Sequence, residues 1–178
     1  MELSGNGRQP MGRWARLATA ATGLETTRQI AAKKGTKRSL IVDAEGGPLG
    51  VVIAGANVHD TKLLSETIEA IIVERPTQAE QDPHLLLDKG YDNPTGHWTV
   101  KNHNFIGHIR PIKEDGGKKK HKGKPRRWVV ERTLGWLNRW RGIFVRYEKK
   151  ACNYLGVLKL ACAFLWYRRL HAMGVALR

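Results

Sequence analysis

The run His84-Leu-Leu-Leu-Asp88 constrains the fold more than any other part of the chain. Three consecutive leucines leave no polar position for a wet face, and the run is too short for a helix. It reads as a strand buried on both sides, which belongs in a sheet covered by helices. It ends in Asp-Lys-Gly-Tyr-Asp-Asn-Pro, which is loop chemistry, so Asp88 stands at the carboxyl end of a buried strand. In α/β sheets that end opens into the crevice where ligands bind. A plainer reading has Asp88 bracing the turn at Gly90.

The flanking sequence supplies the other layers. Residues 39–44 and 49–55 are short β-prone runs separated by Glu45-Gly-Gly-Pro48, which predicts a hairpin. A helix is expected over 60–74, capped by Asn57 and stopped by Pro76. Within it, Leu63, Leu64, Thr67, Ile68, Ile71 and Ile72 recur at helical spacing. A short helix near 95–102 and a strand near 105–110 come next, and 128–141 and 154–171 read as helices. This alternation predicts an α/β layer architecture. Residues 1–34, interrupted by Gly5, Gly7, Pro10, Gly12 and Gly23, read as an irregular leader, disordered or misjoined to the core. Their Arg, Ala and Thr content also has the flavour of a transit peptide. The folded core is expected over 35–172, with a flexible basic loop at 113–126 and a tail at 173–178.

Lys and Arg number 31 against 16 Asp and Glu, a net charge of +15. Such an excess speaks of partners rather than fold, with polyphosphates first and acidic membrane surfaces second. The densest cluster is Lys118, Lys119, Lys120, Lys122, Lys124, Arg126 and Arg127, in a Lys/Gly/Pro tract. It can track phosphates, each contact adding a salt-dependent increment to binding, or it can be a solvated loop. The longest apolar run, 160–167, falls far short of the ~20 residues that span a bilayer, and the chain reads as soluble and intracellular. Two cysteines, Cys152 and Cys162, exclude a disulfide framework and are expected as buried thiols. His59-Asp60 and His103…His108 lack zinc-site spacing with cysteines. No phosphate-binding glycine loop and no Ser/His/Asp triad can be assembled.

The helix Arg127-Trp-Val-Val-Glu-Arg-Thr-Leu-Gly-Trp-Leu-Asn-Arg-Trp140 is the strongest local feature. At 100° per residue Val130, Leu134 and Leu137 form the core stripe, with Val129, Thr133, Trp136 and Trp140 beside it. Arg127, Glu131 and Asn138 share the other edge. A carboxylate with a cation one turn earlier thus borders the packed surface; alone, that is a routine i,i+4 ion pair. Trp128 lies opposite the core stripe and is the tryptophan best placed to touch nucleic acid, whereas core packing is expected for most of the others.

Four blocks, Lys34-Gly-Thr-Lys-Arg-Ser-Leu-Ile-Val-Asp43, Pro48-Leu-Gly-Val-Val-Ile-Ala-Gly-Ala-Asn-Val-His-Asp-Thr-Lys-Leu-Leu64, Leu86-Leu-Asp-Lys-Gly-Tyr-Asp-Asn93 and Arg127-Trp-Val-Val-Glu-Arg-Thr-Leu-Gly-Trp-Leu-Asn-Arg139, resemble bacterial insertion-sequence DDE transposases in the family's order. The resemblance covers about residues 34–170. It implies a ribonuclease-H-like mixed sheet flanked by helices, and metal-dependent cleavage and strand transfer with two Mg²⁺ or Mn²⁺ ions. Hard cations on oxygen ligands suit that chemistry, because phosphodiesters repel anionic nucleophiles. It further implies Asp88 and Glu131 as catalytic metal ligands, and Arg127 as a phosphate contact. Arg139 and the lysines of the basic tract join it as expected DNA contacts. The implied partners are transposon terminal inverted repeats, target DNA and further copies of the chain, at the bacterial nucleoid.

The family's first catalytic Asp lies on a strand upstream of the Lys-Gly-Thr-Lys-Arg block, and no Asp precedes Asp43 here. Asp43 itself falls in the block that matches the second strand, beside the hairpin turn, and is not expected to be a ligand. Two smaller departures put Lys124 where the family has Tyr and Asn138 where it has Lys or Arg. The resulting expectation is an N-terminally truncated or second-frame transposase core that lacks its first strand, with weak metal binding and little strand transfer. The alternative is a non-enzymatic basic protein that binds DNA or RNA through 113–127.

Overall fold

The computed structural model describes residues 35–74, 83–109 and 128–174, together with the backbone of 17–22. Within these, β1 (Leu17–Thr22), β2 (Thr36–Val42) and β3 (Pro48–Gly55) precede helix α1 (Asp60–Glu69). Strand β4 (His84–Leu87), a 3-10 turn (Lys89–Tyr91), α2 (Pro94–Asn102) and β5 (Ile106–Ile109) come next. Helices α3 (Trp128–Asn138), α4 (Arg141–Phe144) and α5 (Ala151–Ala172) end the described chain. The five strands form one sheet in the order β3-β2-β1-β4-β5. Pairs β1–β2 and β2–β3 are antiparallel, and β1–β4 and β4–β5 are parallel. This is the mixed α/β, ribonuclease-H-like sheet that the family resemblance implies.

One expectation is overturned. The first strand is present, lies inside the stretch read as an irregular leader, and occupies the centre of the sheet. Leu17-Ala-Thr-Ala-Ala-Thr22 is rich in small residues and has no polar/apolar alternation, so period gives no signal. Pairing on both edges makes it a strand: Ala18 pairs Val42 and Ala20 pairs Leu40 on one side, and Leu17 pairs Leu85 and Ala18 pairs Leu86 on the other. Strand formation depends on such neighbours more than on intrinsic preference. The rest of 1–34, the basic tract 113–127 and residues 175–178 lie outside the described residues.

The sheet is covered on both faces, as the leucine run requires. On one face Leu40, Val42 and Val51 pack against Val129, Val130, Leu134 and Leu137 of α3 and against Leu158 and Ala161 of α5. On the other, Ile41, Leu49, Leu85 and Leu87 meet Leu64 and Ile68 of α1 and Val100 of α2. Strand alternation divides the leucines of β4: Leu86 joins the α3 side, and Leu85 and Leu87 the α1 side.

Element ends differ from the sequence reading for local reasons. His59, not Asn57, caps α1, its Nδ1 accepting from Thr61 N at 3.3 Å. Lys37 Nζ secures the same end through Val58 O at 2.7 Å and Asp60 Oδ1 at 2.6 Å. The helix stops at Glu69 rather than at 74, because Ile72 N donates to Leu49 O at 3.3 Å and draws the chain back to the sheet edge. Helix α3 stops at Asn138, and 141–144 form the separate short α4. Helix α5 is longer than expected at both ends, and Tyr154 Oη donates to Ile143 O at 3.0 Å to join it to α4. Cys152 is exposed, contrary to expectation, while Cys162 is half-buried with its thiol pushed up to about 11 by burial.

Candidate active site

Asp88 follows the last residue of β4 with extended backbone, φ −73° and ψ 161°. Two residues beyond Leu86, it continues the alternation on the face that α3 covers. It is half-buried, and its Oδ1 accepts from Lys89 N at 2.8 Å, capping the 3-10 turn Lys89–Tyr91. The plainer reading of Asp88 as a brace for this turn therefore holds. A carboxylate has about four lone-pair sites, so capping and ligation are compatible roles. Downstream, Asn93 caps α2 through Gly96 N at 2.8 Å and reaches Thr61 Oγ1 at 3.0 Å, which anchors the loop after Asp88 to α1.

Glu131 is exposed in the first turn of α3, one residue past fully buried Val130. Helix α3 packs on β1 and β2, so Glu131 and Asp88 belong to the same side of the sheet. Arg127 lies outside the described residues, as do Lys118, Lys119, Lys120, Lys122, Lys124 and Arg126. Arg139 is exposed just beyond the end of α3. Asn138, at the position where the family has a cation, accepts from Arg38 Nη2 at 2.9 Å and ties the end of α3 to β2.

The strand expected to be absent is present, but it carries no carboxylate. Continuing the parallel register in which Ala18 faces Leu86 puts Ala20 level with Asp88, and β1 contains no acidic residue. Among the described residues, no three His, Cys, Asp or Glu side chains converge as a metal site would require. Asp88 and Glu131 are the right donor type for a hard cation, but they do not make the three-carboxylate set. Asp43 does not replace the missing acid. It is 4% exposed, and its Oδ1 accepts from Glu45 N at 2.9 Å and Gly47 N at 2.6 Å. Arg169 Nη1 lies 3.3 Å from both of its oxygens. Asp43 therefore holds the hairpin turn to α5.

Sequence reasoning missed a groove of about 830 Å³ between that turn, α3 and the second half of α5. The Arg132 guanidinium lies 4.4 Å from the Trp128 ring centroid and 4.9 Å from that of Trp136. The spacing of 128, 132 and 136 was the available signal, since every fourth residue shares a helix face. Trp140 meets Phe164 edge-on with centroids 5.3 Å apart. Of the tryptophans expected in the core, Trp98 and Trp140 are exposed and Trp136 is half-buried, while half-buried Trp166 packs against a core cluster and Trp128 is exposed as expected. The Trp166 indole N–H donates to Pro48 O at 2.6 Å.

Comparison with known proteins gives consistent matches. The family described as "Transposase DDE domain" matches residues 17–166, beginning at the first residue of β1. A Burkholderia cepacia protein assigned as transposase for insertion sequence element IS402 is 32% identical over 161 residues, covering 89% of this chain and 72% of the relative. The transposase for insertion sequence element IS1106 of Neisseria meningitidis serogroup B is 29% identical over 136 residues, covering 72% of this chain and 42% of its own length. In fold alone, a chain of the simian T-cell lymphotropic virus intasome complex with PP2A regulatory subunit B56 gamma superposes with a TM-score of 0.54. That match has 12% identity and covers 87% of this chain and 49% of the other. The ordered motif blocks, the central β1 and the match across 17–166 together make this chain a member of the DDE transposase family of insertion sequences.

Proposed function

We propose that this chain is the catalytic domain of an insertion-sequence transposase that engages transposon-end DNA but carries out cleavage and strand transfer very slowly or not at all. The observation that carries the second half is Ala20, the residue level with Asp88 on the central strand. When bound, divalent metal supplies the family's activation of water or a 3′-hydroxyl. A site with Asp88 and Glu131 but no acid on β1 has lost one of three anionic ligands, and affinity for a hard cation follows ligand charge and number. The chain's own residues retain the other tasks. Asp88 and Glu131 supply oxygen donors on the α3 side of the sheet, and the cations of 118–127 with Arg139 neutralise phosphates. Terminal inverted repeats, target DNA and assembly of two or more copies are the partners this reading assigns.

The test uses the full chain, Mg²⁺ or Mn²⁺, and a duplex carrying the element's terminal inverted repeat. The expected result is no nicking above background for the unmodified chain. Ala20→Asp is expected to introduce metal-dependent nicking that Asp88→Ala or Glu131→Ala then abolishes. Robust Mg²⁺-dependent cleavage by the unmodified chain would sink the missing-ligand reading. Nicking indifferent to metal and to both carboxylates would sink the assignment of Asp88 and Glu131.

A further inference from the structure

The groove between the hairpin turn, α3 and α5 takes no part in the carboxylate site, since neither Asp88 nor Glu131 lines it. Its charge is one-sided. Among the described residues, Arg132, Arg139, Arg168 and Arg169 line it against a single acid, Glu45. Arg169 is committed to Asp43 and Glu45, and Arg132 to the Glu45 carbonyl and the two indoles. Among the described residues, the Arg139 and Arg168 side chains have no acidic partner, so their charge faces whatever enters.

Its walls are aromatic, and the aromatic surface continues beyond it. Trp128, Trp140 and Phe164 are 48%, 38% and 43% exposed, a concentration of large apolar rings at the surface that marks an interaction site. From Trp140 a line of rings runs along the outer face of α5. Trp140 to Phe164 is 5.3 Å, Phe164 to Tyr167 is 6.2 Å and stacked, and Tyr167 to His171 is 6.4 Å and stacked. A pocket of several hundred Å³ suits one planar ligand, but a ladder of exposed rings beside arginines with no acid opposite them suits a repeating one.

We infer that this groove and the ladder on α5 bind an unpaired DNA strand, with bases stacked on Trp140, Phe164 and Tyr167 and phosphates paired to Arg139 and Arg168. Stacking on aromatic rings beside a cationic track is the general solution for single strands, because every base has a π-face. A duplex keeps its bases stacked inside and offers these rings nothing. The arginine charge at this groove draws in a polyanion. The choice of DNA over other polyanions rests on the transposase reading; the preference for an unpaired, base-bearing strand rests on the groove alone.

The test is binding of labelled (dT)12 to the full chain in EDTA, so that metal and cleavage play no part. An abasic strand of equal charge, a 12-base-pair duplex and dTMP serve as comparisons. The expected result is that (dT)12 binds at least about ten-fold more tightly than the abasic strand or dTMP. Trp140→Ala is expected to cost about ten-fold on (dT)12 with little change on the duplex. Arg139→Gln and Arg168→Gln should each reduce the dependence of log K on log salt by about 0.7. These positions lie at the surface, and the Arg variants keep every ring, so a folding defect in one variant leaves the others as a test. Equal binding of abasic and normal strands, or a Trp140→Ala chain that binds (dT)12 unchanged, overturns the stacking groove. A self-associating chain whose dimer is lost in Phe164→Ala, with no strand binding, overturns it in favour of a subunit contact. None of these outcomes depends on the nicking assay, which tests the carboxylates on duplex ends.

Discussion

Gly46 shows how a single missing side chain can set the position of a helix. Its φ is +91°, in the left-handed region that favours glycine, and a Cβ there would stand 2.8 Å from Thr133 Oγ1. That hydroxyl donates to Gly46 O at 2.7 Å, and Arg132 donates to Glu45 O beside it. The turn is thus hydrogen-bonded to α3 while Asp43 and Arg169 hold it to α5. Gly46→Ala has to bear both backbone strain and the close approach, at a cost of roughly 1–3 kcal/mol. Urea unfolding of the variant should show a lower midpoint at an unchanged slope; a midpoint within error of wild type would mean that the turn tolerates a side chain. At the same scale, β1 presents an alanine, Ala20, level with Asp88, and on the proposed reading that position is where a third ligand would stand. The residue was legible in the sequence only as an absence, because without the strand no position could be named for it.

Elements were legible in proportion to how much of their identity is local. The hairpin of β2 and β3 follows from β-prone runs around Glu45-Gly-Gly-Pro48, and β4 from its leucines. Helix α3 follows from Val130, Leu134 and Leu137, which are all buried. Strand β1 was not legible, since Ala and Thr carry no period and its partners lie about twenty and about seventy positions away. The end of α1 was misread because Ile71 and Ile72 keep helical spacing while a tertiary bond to Leu49 O takes over the backbone. For the site, Asp88 and Glu131 could be picked out and set on one side of the sheet, but the groove could not, because it joins α3 to a helix some thirty residues later. The weight of α3 in the fold can be measured directly. Leu137→Ala, at a position fully buried between sheet and helices, should cost about 2–5 kcal/mol. Leu160→Ala, at a position 67% exposed on α5, should change stability by less than about 0.5 kcal/mol. Equal effects at the two positions in urea unfolding would contradict a core built on α3.

For the molecule as a whole, the proposed function makes the excess of fifteen positive charges the first determinant of any encounter with DNA, before a base is touched. Duplex affinity is expected to fall steeply with salt, and replacing Lys118, Lys119, Lys120 and Lys122 together by Ser should flatten the log–log slope by about 0.9 for each phosphate contact removed. Anisotropy titrations from roughly 50 to 200 mM salt would check this, and an unchanged slope would return 113–127 to the role of a solvated loop.

The central place of β1 also bears on how the chain is made. During synthesis β1, β2 and β3 emerge in turn and can pair at once, but the second edge of β1 has no partner until β4 appears, about seventy residues after β1. Until then the growing sheet ends in a strand with unpaired N–H and C=O groups, which is a template for any other extended chain. The face formed by Leu40, Val42 and Val51 stays uncovered longer still, because α3 and α5 come last. Such late, long-range closure slows folding and makes the half-made chain, rather than the finished one, the form most exposed to aggregation and proteolysis.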